Sequence, residues 1–147
     1  GSQKRQLNRL KEIARAEQSN GQALIEESRF RDKISKAEID LMALEFTELR
    51  AVSAANQGGI PGTEVNLLKI RGSEMQQKIS ELLIEAVGYY ANPFIPDSFE
   101  AGWNEEPIGP DYAATLAPEY FNWRKSSIYA GSNEVQKNII SKMVLGL

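Results

Sequence analysis

The sequence contains no cysteine and no histidine, and these two absences exclude several kinds of chemistry. Without cysteine the chain forms no disulfide and has no thiolate nucleophile. Without histidine it has no imidazole base, and the residues that bind most structural zinc ions are missing as well. Acid–base chemistry in this chain therefore has to use aspartate, glutamate, lysine, tyrosine or a bound cofactor.

The sequence also has no strong excess of charge and no long apolar run. Its 17 basic and 20 acidic residues are interspersed and give a formal net charge of −3. Such a mixed surface gives no electrostatic reason to bind nucleic acid or anionic lipid. No apolar run approaches the ~20 residues that span a membrane, and no signal-peptide pattern opens the chain. We therefore expect no nucleic-acid partner, no membrane partner and a cytoplasmic location.

The length of 147 residues fits one domain with a sizeable core. The opening Gly1-Ser2 resembles a cleavage scar, and a helical pattern is already running by Leu7. We expect the chain to begin inside a larger protein, with its first helix truncated.

Apolar residues that recur every three or four positions predict four long helices. The predicted helices cover residues 3–17, 28–56, 63–90 and 133–145. The second helix carries two apolar stripes, which implies neighbours on two of its sides. The stripes are Ile34, Ala37, Leu41 and Leu44, and Ile39, Met42, Phe46 and Leu49. Thr63 is a plausible N-cap of the third helix. The pattern predicts an all-α, up-down four-helix bundle.

The connections are marked by turn residues. Ser19-Asn20-Gly21 ends the first helix, and residues 57–62 form a turn. Residues 92–118 hold all but one of the six prolines and predict a long ordered loop, followed by a short helix or turn over 120–127. Its aromatic residues are expected to pack onto the body of the domain; they are Phe94, Phe99 and Trp103. Gly72 costs roughly 1 kcal/mol inside a helix, which indicates a close helix contact there.

The most informative segment is near the end of the chain, where residues 128–136 read Ile-Tyr-Ala-Gly-Ser-Asn-Glu-Val-Gln. We call this segment the terminal motif. A Gly-Ser-Asn turn before an amphipathic helix leaves free backbone N–H groups that can face an anion. Ser132 is also a good N-cap, worth ~1 kcal/mol, so an ordinary helix start is the alternative interpretation.

The terminal motif, with Arg124 before it, resembles the closing segment of acyl-CoA dehydrogenases. The order of helices resembles the C-terminal helical domain of that family over essentially the whole chain. The resemblance implies FAD as cofactor and the conversion of an acyl-CoA thioester to a trans-2-enoyl-CoA. Complete members also have an N-terminal helical domain and a middle β domain. Residues 1–147 are thus expected to be a single C-terminal domain, inactive by itself.

The resemblance also implies partners and site residues. The partners are an acyl-CoA substrate, other subunits of a homo- or heterotetramer, and an electron-transferring flavoprotein. The substrate-pocket residues implied are Tyr129, Ala130 and Gly131, and the cofactor-binding residues are Ser132, Asn133 and Glu134. From spacing alone, Tyr129 is instead a buried structural tyrosine, and Arg124 is a partner for some carboxylate.

No catalytic residue is predicted within the chain. The family removes the α-proton of its substrate with a carboxylate, and some members place that glutamate directly after the motif tyrosine. Here that position is Ala130, which has no proton-accepting atom, so the base is expected upstream of Gly1. Glu134 is the nearest carboxylate, but its place in the first helical turn is explained by a dipole stabilisation of ~0.3–1 kcal/mol.

Two departures from the family pattern predict a specialised branch. Glu17 stands where an arginine usually reaches the FAD pyrophosphate of a neighbouring subunit, and a carboxylate repels phosphate. Where many members have Gln-x-x-Gly-Gly, residues 85–90 read Glu-Ala-Val-Gly-Tyr-Tyr. Some members are built from two different subunits, and residues 122–125 with the proline-rich loop resemble large subunits that act on pimeloyl-type acyl-CoAs.

Two other functions remain open at this point. The first is a domain of an acyl-CoA oxidase-like flavoenzyme, which differs in how fast its reduced flavin reacts with O₂. The second is a non-catalytic assembly domain of a heteromeric dehydrogenase, in which the two-striped helices form a subunit interface.

Overall fold

The computed structural model describes residues 1–58 and 62–146, and in these residues the chain is mostly helical. Its five α-helices are α1 (Ser2–Ala16), α2 (Ser28–Asn56), α3 (Glu64–Val87), α4 (Leu116–Trp123) and α5 (Asn133–Leu145). The predicted all-α fold class is therefore confirmed, and the four long predicted helices are α1, α2, α3 and α5. Most of the predicted turn over 57–62 lies outside the described residues, as does Leu147.

Helix α1 is amphipathic and buries Leu7, Leu10, Ile13 and Ala14, as its spacing predicts. It is followed by a small antiparallel hairpin of β1 (Gln18–Ser19) and β2 (Gln22–Ala23). Asn20 and Gly21 form its turn with φ of 52° and 80°, because a tight two-residue hairpin turn needs positive φ at both positions. The sequence analysis predicts only the end of the helix here, and strands of two residues are too short to show an alternating pattern.

Helix α2 has one buried and one exposed apolar stripe. Phe30, Ile34, Ala37 and Leu41 are buried against α1 and α3. The second predicted stripe is exposed; it consists of Ile39, Met42, Phe46 and Leu49, and we call it the outer stripe. The sequence implies neighbours on two sides of α2, and within the described residues only the inner side is covered, by α1 and α3.

Helix α3 is central and contacts α1, α2, α4 and α5. Thr63 occupies its N-cap position, but the Thr63 side chain makes no capping hydrogen bond. The helix ends at Val87, three residues before the predicted end, because Gly88 has a φ of 55° and starts a 3₁₀ turn, Gly88–Ala91. The side-chain amide of Gln3 on α1 donates to the Gly72 carbonyl oxygen at 2.7 Å, but among the described residues a Cβ at Gly72 would meet only this amide, at 3.9 Å, so a close helix approach does not explain the glycine.

The proline-rich segment between α3 and α4 is ordered, but its aromatic residues do not all pack inward. Phe94 is 74% exposed and Phe99 is 53% exposed, so the expectation that they pack onto the domain is wrong, while Trp103 is half-buried. The segment is anchored instead by buried Ala113. Helix α4 begins at Leu116, earlier than predicted. Pro118 is compatible with this start, because the N–H that proline lacks would have no partner in the first turn of a helix.

None of the helices within residues 1–58 and 62–146 is both long enough and apolar enough to cross a membrane.

Candidate functional site

Helix α3 presents a row of polar side chains to the segment that contains the terminal motif. The row consists of Asn66, Lys69, Ser73, Gln77 and Ser80, and we call it the polar stripe. Successive members are three or four positions apart, which places them on one face of the helix. Each of the five makes a hydrogen bond to residues 123–136.

The stripe first binds the chain just before the motif. The Gln77 amide donates to the carbonyl oxygen of Arg124 at 3.0 Å. In return the Arg124 guanidinium donates to the Gln77 carbonyl at 2.8 Å and to Ser80 Oγ at 3.2 Å. The guanidinium also lies 4.2 Å from the centre of the Tyr120 ring, a cation–π contact. Among the described residues Arg124 therefore pairs with a carbonyl, a hydroxyl and an aromatic ring, and the predicted carboxylate partner is wrong.

The centre of the stripe binds Ser126 and Asn133, the residues on either side of the loop 127–132. Lys69 Nζ donates to the carbonyl oxygen of Ser126 and to Asn133 Oδ1, each at 3.0 Å. Ser73 Oγ lies 3.1 Å from the same Asn133 oxygen. Ser126 and Asn133 are only 3% and 5% exposed, so these are hydrogen bonds of the interior. At the far end Asn66 donates to Gln136 Oε1 at 2.6 Å.

Between these anchors the backbone takes an unusual course. Ala130 has a φ of 55° and Gly131 a φ of 84°. The left-handed region costs a residue with a side chain ~1–2 kcal/mol, so Ala130 is strained. A Cβ at Gly131 would lie 2.6 Å from Nε2 at the movable end of the Gln136 side chain, so the positive φ is the main reason for glycine there. Backbone strain of this kind persists where surrounding contacts hold it, and it is common at functional sites.

The start of α5 is a well-formed helix N-terminus. Ser132 has extended backbone dihedrals, and its Oγ accepts from the backbone N–H of Val135 at 3.3 Å, which confirms its role as N-cap. Glu134 is exposed, and its pKa lies below the usual value. The main cause is a hydrogen bond from its own backbone N–H, followed by one from the Ser132 hydroxyl, with Lys137 and Lys69 adding smaller effects. Glu134 is therefore an anion at neutral pH.

Five of the six predicted site residues share one open surface. Tyr129, Ala130, Gly131 and Glu134 are exposed, and Ser132 is partly so. Tyr129 is 46% exposed, so the interpretation of it as a buried structural tyrosine is wrong. Asn133 differs from the other five because its side-chain oxygen Oδ1 accepts hydrogen bonds from the polar stripe in the interior.

Exposed apolar side chains lie in and before the terminal motif. Phe121 and Ile128 are 70% and 69% exposed, and Val135 is 49% exposed. Large exposed apolar groups beside the positive end of a helix dipole suit a ligand that has both a polar or anionic part and an apolar part. The surface thus offers hydrogen-bond donors, an ionised carboxylate and an aromatic wall, while Ala130 offers no acid or base.

A large groove lies elsewhere. It has a volume of about 650 Å³, runs between α2 and α3, and contains none of the six predicted residues. Several of its charged side chains are already paired, such as Arg71 with Glu74 at 3.1 Å. The terminal motif lies on the opposite face of α3, so groove size does not identify the site.

Two contacts important for the site escape the sequence analysis. The first is the polar stripe, whose helical spacing is visible in the sequence but is equally typical of a solvent-facing side. The second involves Glu17, whose carboxylate accepts from the Tyr112 hydroxyl at 2.7 Å. Burial, and then this hydrogen bond, raise the pKa of Tyr112 to about 12. The departure at Glu17 is therefore paired with a residue of the proline-rich segment.

Comparison with known proteins identifies relatives of the domain. The family model described as the acyl-CoA dehydrogenase C-terminal domain matches residues 1–145. The acyl-CoA dehydrogenase IpdE1 of Mycobacterium tuberculosis (strain ATCC 25618 / H37Rv) is 28% identical over 145 residues, which cover 97% of this chain and 32% of that protein.

Solved structures share the fold. PigA with FAD and proline superposes with a TM-score of 0.77 at 23% identity, over 99% of this chain and 33% of that one. The ChsE4-ChsE5 complex from Mycobacterium tuberculosis gives 0.74 at 20% identity, over 99% and 35%. The chain thus spans about a third of the length of each of these three relatives.

Proposed function

The chain belongs to the acyl-CoA dehydrogenase family, matching its C-terminal domain, and on this premise we propose that it forms one wall of a flavin site. In the full-length protein that site dehydrogenates an acyl-CoA thioester at its α,β-bond and yields a trans-2-enoyl-CoA. The observation that carries the proposal is the common surface of Tyr129–Glu134, with five of its six residues outside the interior. The whole enzyme is an oxidoreductase, and this domain alone is inactive because it has no base at Ala130.

The residues at the start of α5 fit part of an FAD molecule. The positive end of the α5 dipole suits polar or anionic acceptors of the cofactor. The Glu134 carboxylate, ionised at neutral pH, accepts hydrogen bonds and so fits the hydroxyl and amine donors of an adenosine portion. When bound, FAD supplies the acceptor for the hydride that leaves the substrate β-carbon. The FAD in the related PigA structure supports this choice of cofactor.

The acyl chain is proposed to lie against Tyr129 and the backbone of Gly131. The Tyr129 ring is about half exposed and adds apolar area, and Gly131 has no side chain to keep a thioester away. Ala130 cannot accept a proton, so the α-proton goes to a carboxylate that this chain does not supply. Exclusion of water by the other domains raises the basicity of such a carboxylate.

The outer stripe of α2 is proposed as a subunit interface. Its four apolar side chains are each more than half exposed, as on a helix that another protein surface covers. The related ChsE4-ChsE5 complex supports an assembly of two different subunits. Electrons then pass from the reduced flavin to an electron-transferring flavoprotein.

A second candidate function is a non-catalytic assembly domain of a heteromeric dehydrogenase. Two departures from the family pattern favour it. Glu17 replaces an arginine that binds phosphate in the family, and Ala130 replaces the carboxylate that accepts the proton in some members. An acyl-CoA oxidase-like enzyme is the third, and fast reaction of the reduced flavin with O₂ would identify it.

Flavin stoichiometry in the full-length protein tests these alternatives. We would measure visible absorbance against protein concentration, first for the protein alone and then for it co-purified with a candidate partner subunit. About one FAD per chain in the protein alone indicates a homo-oligomer with a complete site. Little FAD alone, with recovery on adding the partner, indicates a shared site. Absence of flavin in both preparations overturns the proposal in favour of the assembly domain.

A further inference from the structure

Lys69 joins the two ends of the loop in the terminal motif. Its ammonium donates to the carbonyl oxygen of Ser126 before the loop and to the side chain of Asn133 after it, each at 3.0 Å. The loop between these anchors contains the left-handed residues Ala130 and Gly131. We propose that Lys69 is a positioning residue that holds the terminal motif in its cofactor-binding conformation. The inference rests on the proposed function, which gives this loop its cofactor.

The other contacts of the stripe duplicate this role only weakly, since Ser126 Oγ donates to the Ser73 carbonyl oxygen at the long distance of 3.5 Å. Ser73 has a single hydroxyl hydrogen, and the Ile70 carbonyl at 2.8 Å competes with Asn133 at 3.1 Å for it. Gln77 binds the chain before the loop, and Asn66 binds Gln136 after it. An ammonium has three N–H donors and can serve both ends at once. Lys69 is thus the side chain of the stripe that donates to both ends at once, whereas Gln77 and Asn66 each attach one end.

The positive charge of Lys69 also favours cofactor binding at the terminal motif. The ammonium contributes to the lowered pKa of Glu134, so its positive potential reaches the first turn of α5. That turn also lies at the positive end of the α5 dipole. Loss of the charge therefore weakens the site electrostatically, in addition to freeing the loop.

Removal of Lys69 should leave the fold intact, which makes the proposal testable. Gln77, Asn66 and Ser73 still tie residues 123–136 to α3 in its absence. The test variant is Lys69→Met in the full-length protein, because methionine keeps most of the stem and removes the donors. The matched control is Lys78→Met on the same helix, whose ammonium pairs with Glu81 at 3.5 Å on the exposed surface.

The first measurement is hydrogen–deuterium exchange in the apoprotein. Lys69→Met should speed exchange of the amides in residues 128–135 about tenfold or more and leave α1 and α2 unchanged. Lys78→Met should change none of them. This readout needs no flavin, and unchanged exchange in Lys69→Met overturns the inference.

The second measurement is the affinity of the apoprotein for FAD, followed by quenching of flavin fluorescence. Lys69→Met should bind FAD about tenfold more weakly or worse, with unchanged helicity by circular dichroism. Lys69→Arg should recover part of the affinity, because a guanidinium can also donate to two acceptors. Faster exchange with unchanged affinity would mean that Lys69 holds the loop without serving the cofactor, which also overturns the inference.

The two failures can be told apart. If the wild-type protein binds no FAD in any subunit combination, the proposed function is wrong. Hydrogen exchange alone then decides whether Lys69 holds the loop. If the wild type binds FAD and Lys69→Met binds it as tightly as the wild type does, the proposed function stands and the role of Lys69 is wrong.

Discussion

The polar stripe of α3 and the outer stripe of α2 reverse the usual arrangement of a folded chain. The polar stripe is covered by residues 123–136, and its member Ser73 is only 6% exposed. The outer stripe is apolar and open, with Ile39 67% and Phe46 61% exposed. Polar groups are normally left in water and large apolar groups removed from it. Both stripes therefore indicate surfaces whose residues serve a purpose other than the stability of this domain.

The two stripes differ in what they can specify. Hydrogen bonds are directional and fix the position of a segment, whereas apolar contacts are non-directional and reward any close fit. The polar stripe accordingly holds a strained loop in one conformation. The outer stripe can bury large side chains, each worth ~1.5–3 kcal/mol. We infer that α3 positions the candidate site and that α2 serves assembly.

The largest effect should come from breaking the polar stripe at Asn133. Asn133→Leu leaves the Lys69 ammonium and the Ser73 hydroxyl without their shared acceptor in the interior. We expect a loss of about 2–3 kcal/mol in the free energy of unfolding, because two hydrogen bonds are lost and one of them comes from a charged group. Urea unfolding of the 147-residue chain, followed by circular dichroism, measures it.

Asn138→Leu is the matched control. It makes the same chemical change at an exposed position of α5, so we expect a change within about 0.5 kcal/mol. Equal effects of the two substitutions would mean that the polar stripe contributes nothing particular to stability.

The next effect tests the outer stripe. Phe46→Glu places a charge in the middle of the proposed interface and removes an aromatic side chain, at a cost of about 2 kcal/mol to association. That cost corresponds to a dissociation constant roughly thirtyfold higher. Sedimentation velocity of the full-length protein, alone and with its partner subunit, gives the association constants.

Phe94→Glu provides the comparison, because Phe94 is also an exposed phenylalanine but lies outside the stripe. It should leave association unchanged. If both variants dissociate equally, the exposed apolar surface of this chain is not an interface at α2 in particular.

How far the sequence predicts these features depends on how local each one is. Helices α1, α2, α3 and α5 follow from apolar spacing, and the N-cap of α5 follows from Ser132 alone. The sequence does not show which stripe of α2 is covered, because both stripes are apolar and only tertiary contacts distinguish them. Phe94 and Phe99 are exposed because nothing in the described chain packs over them, and composition carries no information about that.

The site divides in the same way. The exposed position of Tyr129, Gly131 and Glu134 agrees with the roles that family resemblance implies, although those roles stay predictions. The inward direction of Asn133 could not be foreseen, because it depends on Lys69 and Ser73 more than fifty positions earlier. Polar residues at helical spacing indicate a solvent-facing side as readily as a buried stripe.

A third prediction concerns a polar contact outside the stripe, between Tyr112 and Glu17. Tyr112→Phe removes this 2.7 Å hydrogen bond and should cost about 0.5–1.5 kcal/mol. A tyrosine whose pKa is raised to about 12 keeps its proton longer in the folded chain than in the unfolded one. Its contribution is therefore complete below pH ~10 and decreases as the pH rises from there towards 12.

Unfolding experiments between pH 9 and about pH 12 check this directly. Wild-type stability should fall more steeply than that of Tyr112→Phe across the window, because the variant has no proton to lose. Parallel curves for the two proteins would show that Tyr112 does not titrate in contact with Glu17.

The smallest effect is expected from the loop that the polar stripe holds. Ala130→Gly removes the strain of a φ of 55° but adds freedom to the unfolded chain. The net result should be a gain of about 0.5–1 kcal/mol in the free energy of unfolding. Ala101→Gly, at an exposed position where φ is not positive, should instead lose stability. A loss in both variants would mean that Ala130 is unstrained, and hence that the polar stripe supports the motif without forcing its conformation.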